Sequence, residues 1–402
     1  MKNDESVVVT GIGVVSPYGV GLDAYWSGLL SGISKVQPLP QFSRHNYRSS
    51  LGAPVPDAIA KSAESGWGDK ATGFLAMAVK EALSMANAGP VFKYSDRVGC
   101  VVGSLCAGID NLISIADTYH NNRPQLETLP TDAAQVNHQL RYITQTHNLT
   151  GPSSMVSTAC ASTTDAIGFG FDLIKNKECD AVIVGGGDTL AELIHAGFNS
   201  LFSITTTQPR PFDSSRDGFA IGEGGGALFL ESSERARCRG AKPLAKIMGN
   251  GLSNTAFHLT ATSEDGYGEA LSIARALEDA KVLPSEVHYI NTHGTATKHN
   301  DRSEMLAMHQ VFGSHIENIL ASSNKPLIGH CMGAAGIMEA ICTIQILREQ
   351  MVPPTPFTLG NEPLRGFDLV MSQTRKAKMD VAISESFGFG GACSCVVFGS
   401  AG

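Results

Sequence analysis

Three residues of the 402-residue chain have side chains and settings suited to covalent chemistry. Cys160 stands in STACASTTDAIG, between β-favouring residues and an Ala/Ser/Thr/Asp helical start. A sulfur at such a junction sits by a helix N-terminus, where unpaired N–H groups and the positive end of the dipole favour the thiolate, the nucleophilic form. Its small neighbours Ala159, Ala161 and Ser162 leave room for an acyl group. Taken alone, a free cysteine more often fills a core, so partners decide the matter. His293, in NTHGTATKHND, follows the apolar run Val287–Ile290, and His330, in SSNKPLIGHCMGAAG, precedes a Gly/Ala-rich helix start. Each imidazole by itself reads as readily as a surface or satisfied core group. All three, however, occupy turns at the ends of strand-like runs, the edge where α/β proteins build their sites.

The elements that would bring these turns together are visible as an internal repeat. Val7–Pro17 (VVVTGIGVVSP) matches Ala245–Asn254 (AKIMGNGLSN), each a β-rich run broken by Gly-x-Gly. Ser154–Cys160 (SMVSTAC), opening the helix-like Ala161–Ile174, matches Ile319–His330 (ILASSNKPLIGH), opening Ala334–Arg348. Asp180–Gly187 (DAVIVGGG) matches Asp380–Gly391 (DVAISESFGFGG). No Pro-rich, Ser-rich or like-charge linker intervenes. We therefore expect two halves, 1–245 carrying Cys160 and 246–402 carrying both histidines. Strand-like runs alternating with helical patterns of roughly 15 residues predict an α/β class of βαβ units, largely parallel sheets covered by helices on both faces. The aperiodic stretch from Ser31 to Asp69 reads as a surface excursion.

Composition narrows the function. Charged residues make up 17% of the chain, below the usual ~25%, and 43 glycines point to a compact, loop-pivoted enzyme. A net charge of −8 argues against nonspecific binding of nucleic acid or anionic membrane. Nine cysteines without a CxxC repeat predict free thiols in a reducing compartment and no metal site. The N-terminal residues lack signal-peptide character and no apolar run reaches ~18 residues, so a cytoplasmic protein with no membrane insertion is expected. Two glycine-rich strings mimic nucleotide loops. GIGVVS at 11–16 has Ser16 and Pro17 where the fingerprint needs another glycine and a helix, and GEGGGALFLE at 222–231 leads into a strand. Neither predicts a cofactor.

STACAST around Cys160, RPFDSSRDGFAIGEGGG at 210–226, NTHGTAT at 291–297, the run Lys325 to Gly336 and SFGFGG at 386–391 together resemble the elongating β-ketoacyl-acyl carrier protein synthases I and II. The resemblance spans residues 7 to 399. It implies a thiolase-like fold, duplicated halves layered α-β-α-β-α, and a homodimer or a heterodimer with a ketosynthase-like subunit. It also implies an acyltransferase reaction in which a chain on Cys160 is extended by decarboxylative condensation with malonyl-acyl carrier protein. No cofactor is implied beyond the carrier's phosphopantetheine. Carried over residue by residue, Cys160 would be the nucleophile and His293 and His330 the donors to the malonyl thioester. Lys325 would support them, paired with Glu339. Backbone N–H groups of Cys160 and Phe389 would form an oxyanion hole, with Phe389 as gate. Thr295 and Thr297 would hold the pantetheine arm, and Asp301 and Glu304 would organise the His293 loop. Without the resemblance, those two acids read as exposed charges on a helix start.

Some positions depart from the family pattern. Lys298 replaces a usual proline, and Ala392-Cys393 replaces a common Thr-Asn. The basic cluster that docks acidic carrier protein is reduced to Lys70 in Ala63–Lys70, leaving Arg123, Arg210 and Lys298 as docking candidates. Cys106 stands where a larger aliphatic residue often closes the acyl pocket. Fatty-acid synthesis and a specialised polyketide or aryl-polyene-type pathway are equally compatible with this pattern. Two other readings remain: one subunit of a ketosynthase/chain-length-factor heterodimer, against which the complete Cys-His-His set counts, and a coenzyme A-dependent condensing enzyme of the same fold.

Overall fold

The valine-rich runs become strands, and their order in the sheet displays the repeat. The computed structural model describes residues 6–43, 46–89, 91–121, 131–360, 362 and 365–401. Strands of the first half are β1 (Val7–Ser16), β2 (Val98–Gly103), β3 (Ser153–Val156), β4 (Ala181–Asp188) and β5 (Gly224–Ser232). Those of the second are β6 (Ala245–Asn254), β7 (Tyr289–Asn291), β8 (Leu320–Ser322), β9 (Asp368–Leu369), β10 (Val381–Phe387) and β11 (Ala392–Ser400). The first set runs β3-β2-β4-β5-β1 and the second β8-β7-β10-β11-β6, with β9 outside β8. In both, the strand that opens the half pairs antiparallel to the closing strand, which pairs antiparallel to the next, and the remaining pairs are parallel. Val7 to Val9 pair antiparallel with Ile247 to Ala245, joining the two sets edge to edge. The three segment pairs matched in sequence thus open or form β1 and β6, β3 and β8, and β4 and β10, equivalent places in the two halves.

Helices α1 (Lys70–Met85), α2 (Ser162–Lys175), α3 (Tyr267–Ala280), α4 (Lys298–Phe312) and α5 (Ala335–Glu349) complete the layers. Asp69 caps α1 by accepting from Thr72 N at 2.8 Å. α1 covers the first set of strands, α3 covers the second, and α2 and α5 pack on each other and on strands of both sets. The layers therefore read α-β-α-β-α. A strand covered on both faces need not alternate, which is why β1, β2 and β4 are buried throughout. α5 is likewise buried from Ala335 to Leu347, so it shows no apolar stripe.

The inner helices approach closely because of one glycine. A Cβ on Gly336 would stand 1.9 Å from Thr164 Oγ1 and 2.9 Å from Thr164 N. Beside it, Thr163 Oγ1 donates to Gly333 O at 2.6 Å and accepts from Ile337 N at 2.9 Å.

Two local expectations can be compared with the fold. GIGVVS lies inside the buried strand β1, and GEGGGALFLE runs into β5, so both glycine strings are sheet backbone. The Ser31 to Asp69 stretch, in contrast, is more than a surface excursion. It contains a helix, Asp57–Trp67, and the fully buried strand Leu51–Ala53, which pairs in parallel with Ile221–Gly222. The strand it pairs with, Ile221–Gly222, in turn holds the His330 turn, since His330 N donates to Ala220 O at 2.7 Å and Gly222 N to His330 O at 2.9 Å. Periodicity misses it because three buried residues are too few to carry a period.

Gly336→Ala is expected to lose about 1–3 kcal/mol of stability, as overpacking of a close helix contact does. Urea unfolding measures it, and an unchanged midpoint would show that the two helices have slack.

Candidate active site

Four turns at the C-terminal ends of parallel strands converge. β3 leads to Cys160, β7 to His293, β8 to Lys325 and His330, and β10 to Phe389. Cys160 sits in a single 3₁₀ turn, Ala159–Ala161, that feeds directly into α2. Ala159 adopts φ +53°, a left-handed conformation costly for a residue with a Cβ. Gly388 lets the β10 turn pack against this elbow, because a Cβ there would lie 2.9 Å from Thr158 O and 3.1 Å from Cys160 N.

Cys160 Sγ lies 3.1 Å from His330 Nε2. The two imidazoles meet edge to face, with ring centroids 5.4 Å apart. Lys325 Nζ is 3.4 Å from His293 Nδ1 and 2.5 Å from Glu339 Oε1, and it also donates to His293 O. An ammonium offers only donors, so His293 Nδ1 must accept. The neutral ring then carries its proton on Nε2. Burial, with the Lys325 charge beside them, holds both imidazoles well below their ordinary pKa and therefore neutral. Burial pushes the Glu339 carboxyl up to about 6, against the Lys325 charge that pulls it down.

The cysteine departs from expectation. Burial pushes its thiol up to about 12, outweighing the Lys325 charge and the Phe389 backbone N–H that favour the thiolate. A helix N-terminus alone does not ionise a sulfur that is 6% exposed. At neutral pH Cys160 rests as a thiol. Its sulfur and two imidazole nitrogens lie within 4.8 Å of one another, but the Lys325 charge that opposes protonation of the rings also opposes a cation here.

The supporting acids are buried, not surface charges. Glu304 accepts from His293 N at 2.7 Å and Gly294 N at 2.9 Å. Asp301 accepts from Phe212 N at 2.8 Å and faces Arg216 Nε at 4.0 Å. Asn300 Nδ2 bridges the two acids at 3.2 and 3.1 Å. Burial pushes Asp301 up to about 6 against these donors. Thr295 and Thr297 join hydroxyls at 3.0 Å and line a cavity of about 100 Å³ together with Cys160, His293, His330 and Phe389. Phe389 is 37% exposed at that wall and its ring lies 5.4 Å from Phe198.

Lys325, Glu339, Asp301 and Glu304 are not themselves on the cavity lining, and neither are Cys106 and Arg210. Cys106 is buried in a neighbouring apolar cluster with Leu190, Ile204 and Met332, and does not stand on the cavity wall; Phe219 belongs to both. Arg210 lies away from the lining and binds Thr207 Oγ1 at 3.0 Å. Arg123 lies outside the described residues. Sequence reasoning in turn missed Phe198, Phe219 and Phe387 on the wall and Asn300 between the acids. Phe219, Phe387 and Asn300 fell within strings already noticed, but an apolar ring or an amide carries no chemical signal of its own.

Comparison with known proteins agrees with this geometry. The family Beta-ketoacyl synthase, N-terminal domain, matches residues 4–236, and Beta-ketoacyl synthase, C-terminal domain, matches residues 244–357. The 3-oxoacyl-[acyl-carrier-protein] synthase 2 of Synechocystis sp. is 35% identical over 96% of this chain and 95% of its own. Its namesake from Vibrio harveyi is 33% identical over 98% of each. Among solved structures, the ishigamide ketosynthase/chain length factor matches with a TM-score of 0.91 at 28% identity, covering 99% of this chain and 100% of that one. The ketosynthase ApeO in complex with its chain length factor ApeC, from Xenorhabdus doucetiae, matches with 0.83 at 26% identity, covering 100% and 99%. Two adjoining family domains, and relatives matched almost end to end, make this chain a member of the β-ketoacyl synthase family, with the thiolase-like α/β fold of its neighbours.

Proposed function

We propose that the protein is an acyltransferase of the 3-oxoacyl-acyl carrier protein synthase type, extending an acyl chain by two carbons from malonyl-acyl carrier protein. The observation that carries this reading is the contact of Cys160 Sγ with His330 Nε2 at 3.1 Å, beside a His293 whose Nε2–H is set by Lys325. Cys160 attacks the thioester carbonyl of the incoming chain; the carbon–sulfur bond to phosphopantetheine breaks, and the thiol proton ends on the departing carrier thiol. The resulting oxyanion is held by the N–H groups of Cys160 and Phe389. Malonyl-carrier protein then enters along Thr295 and Thr297. Its carbon–carboxylate bond breaks, carbon dioxide leaves, and the electron pair passes to an enolate whose oxygen accepts from Nε2–H of His293 and of His330. The α-carbon attacks the acyl-Cys160 carbonyl, sulfur leaves, and a proton from solvent restores the thiol. No step draws on a cofactor.

Neutral imidazoles suit this task because they donate without needing to titrate. Phe389, partly exposed on the cavity wall, stands where an entering chain must pass and acts as its gate. We further propose division of the chain near residue 245, and operation in the cytoplasm, in fatty-acid or specialised polyketide-type synthesis. No helix among the described residues is long and apolar enough to cross a membrane. A second reading, a subunit paired with a chain-length factor, is favoured by the ketosynthase/chain length factor neighbours. In that reading the intact Cys-His-His set makes this chain the condensing subunit. Acidic carrier protein would dock near Arg123 and Arg210.

The purified protein, given acyl- and malonyl-carrier protein, is expected to release a chain two carbons longer. Activity that appears only with a second subunit would select the heterodimer, and no decarboxylation or elongation in either setting would remove the proposal. Cys160→Ala is expected to abolish condensation with an unchanged melting temperature, while His293→Ala should slow malonyl decarboxylation by about 10²–10³-fold. Glu339→Gln leaves the Lys325 charge buried without its partner and is expected to cost about 3–5 kcal/mol in urea unfolding. Arg123→Ala with Arg210→Ala should raise KM for carrier-bound substrates while small thioester mimics turn over as before; equal losses on both would place docking elsewhere.

A further inference from the structure

Next to the His293 turn, but off the cavity wall, β10, α3 and α4 bring three fully buried carboxyls together: Glu385, Glu269 and Glu304. A carboxylate has about four acceptor sites. Glu304 fills three with N–H donors: His293 N at 2.7 Å, Gly294 N at 2.9 Å and Asn300 Nδ2 at 3.1 Å. Glu385 presents the opposite case. Both of its oxygens are buried and receive no N–H or O–H from any described residue. The side chain it meets is Glu304.

Two buried carboxyl groups in contact, with no donor between them, are stable only if a proton lies in the contact. The donors settle which group owns it. Burial pushes both carboxyls up, but three N–H groups oppose this at Glu304 and nothing opposes it at Glu385, so the proton belongs to Glu385. We propose that Glu385 is a protonated carboxylic acid at neutral pH whose O–H fills the fourth acceptor site of Glu304, making Glu385 a positioning residue for the His293–Gly294 turn. It acts on His293 through Glu304 and touches no substrate.

The groups facing it bear on its titration. Glu269, from α3, accepts from Ser303 Oγ at 2.7 Å through one oxygen and has no donor to the other. Cys395 pairs with Glu385 across β10 and β11. Asp301 and Lys325 reach Glu304 electrostatically, but the Lys325 ammonium is already engaged by Glu339 and by His293 O. The cluster is thus acidic: the Lys325 ammonium is committed to Glu339 and His293 O, and the Arg216 guanidinium to Asp301 and Glu362. Burial, followed by the neighbouring acids, drives the Glu385 carboxyl well above its ordinary value.

The sign of the pH effect follows. Below the ordinary glutamate pKa of about 4.3, folded and unfolded chains both hold this proton. As pH rises past it, the unfolded chain releases the proton and the folded one does not, so this group's contribution to stability falls toward alkaline pH. Once the folded form also ionises, two carboxylates oppose each other behind His293. Glu385→Gln keeps an N–H donor at the same place and cannot ionise.

Melting temperatures of the wild type and E385Q between about pH 5 and pH 9 test this. The wild type is expected to lose several degrees relative to E385Q as pH rises, and E385A to melt lower than E385Q throughout. Infrared spectra of isotope-labelled protein should show the carbonyl stretch of a protonated buried acid at neutral pH, absent from E385Q. Condensation by the wild type should fall at alkaline pH where E385Q holds. Parallel melting curves without an acid band overturn the proposal, as would a band that survives in E385Q. So would a melting temperature raised by sodium or potassium with no band, which would mean that a cation neutralises the pair. Only the turnover measurement rests on the proposed condensation; melting and infrared readouts decide the proton even if no condensation is found.

Discussion

The site is organised around one buried charge. Lys325 is 1% exposed, and an ammonium so far from water is tolerable only when its donors are engaged and a counter-charge is adjacent. Glu339 supplies the charge from α5, and the carbonyl and Nδ1 of His293 take further donors from the turn after β7. Three elements distant in sequence are thereby held at one nitrogen. Burial and the same charge together keep both imidazoles neutral, and the charge opposes the desolvation that keeps Cys160 a thiol. Remove it from the geometry and the His293 tautomer loses its cause, while burial alone is left to keep the donor pair neutral.

The duplicated sheet explains why such a site can be assembled at all. β3 and β8 occupy equivalent places in the strand order of the two halves, and each leads into a turn of the candidate site, Cys160 in one and Lys325 with His330 in the other. The tight contact of α2 with α5 through Gly336 brings these turns within hydrogen-bond distance. The halves are alike in path and unlike in content. The first contributes a sulfur on a strained turn; the second contributes the imidazoles, the lysine and the acids that fix them. Neither half holds a complete set.

Buried acids in this protein are accommodated in three ways, each with a different consequence. Glu339 faces a cation, and Asp301 and Glu304 accept backbone N–H groups of the turns they hold. In the reading advanced above, Glu385 is accommodated by keeping its proton. The first two arrangements are rigid because charge and donors are permanent. The third holds only over the pH range in which the proton stays, which couples the geometry of His293 to pH although His293 itself does not titrate near neutrality.

The repeat was legible in the residues themselves. Val7–Pro17 against Ala245–Asn254 and Asp180–Gly187 against Asp380–Gly391 are long apolar runs with glycines at set places, and burial on both faces of a sheet demands that composition wherever it occurs. Cys160, His293 and His330 were legible as candidates from their turns, while Lys325, Glu339, Asp301 and Glu304 gained roles only through resemblance to a family, since a charged residue near a helix start looks the same whether exposed or buried. Glu385 was invisible, because an acid within an apolar run has no local mark that tells which carboxyl it will face. Local composition therefore determined the main strands, their repeated order and the turn that carries Cys160. Which charges lie in water and which in the core depends on how separate elements pack, and whether Cys160 rests as thiol or thiolate depends on Lys325, His330 and Phe389, all more than a hundred positions away, so only the packed tertiary structure decides it.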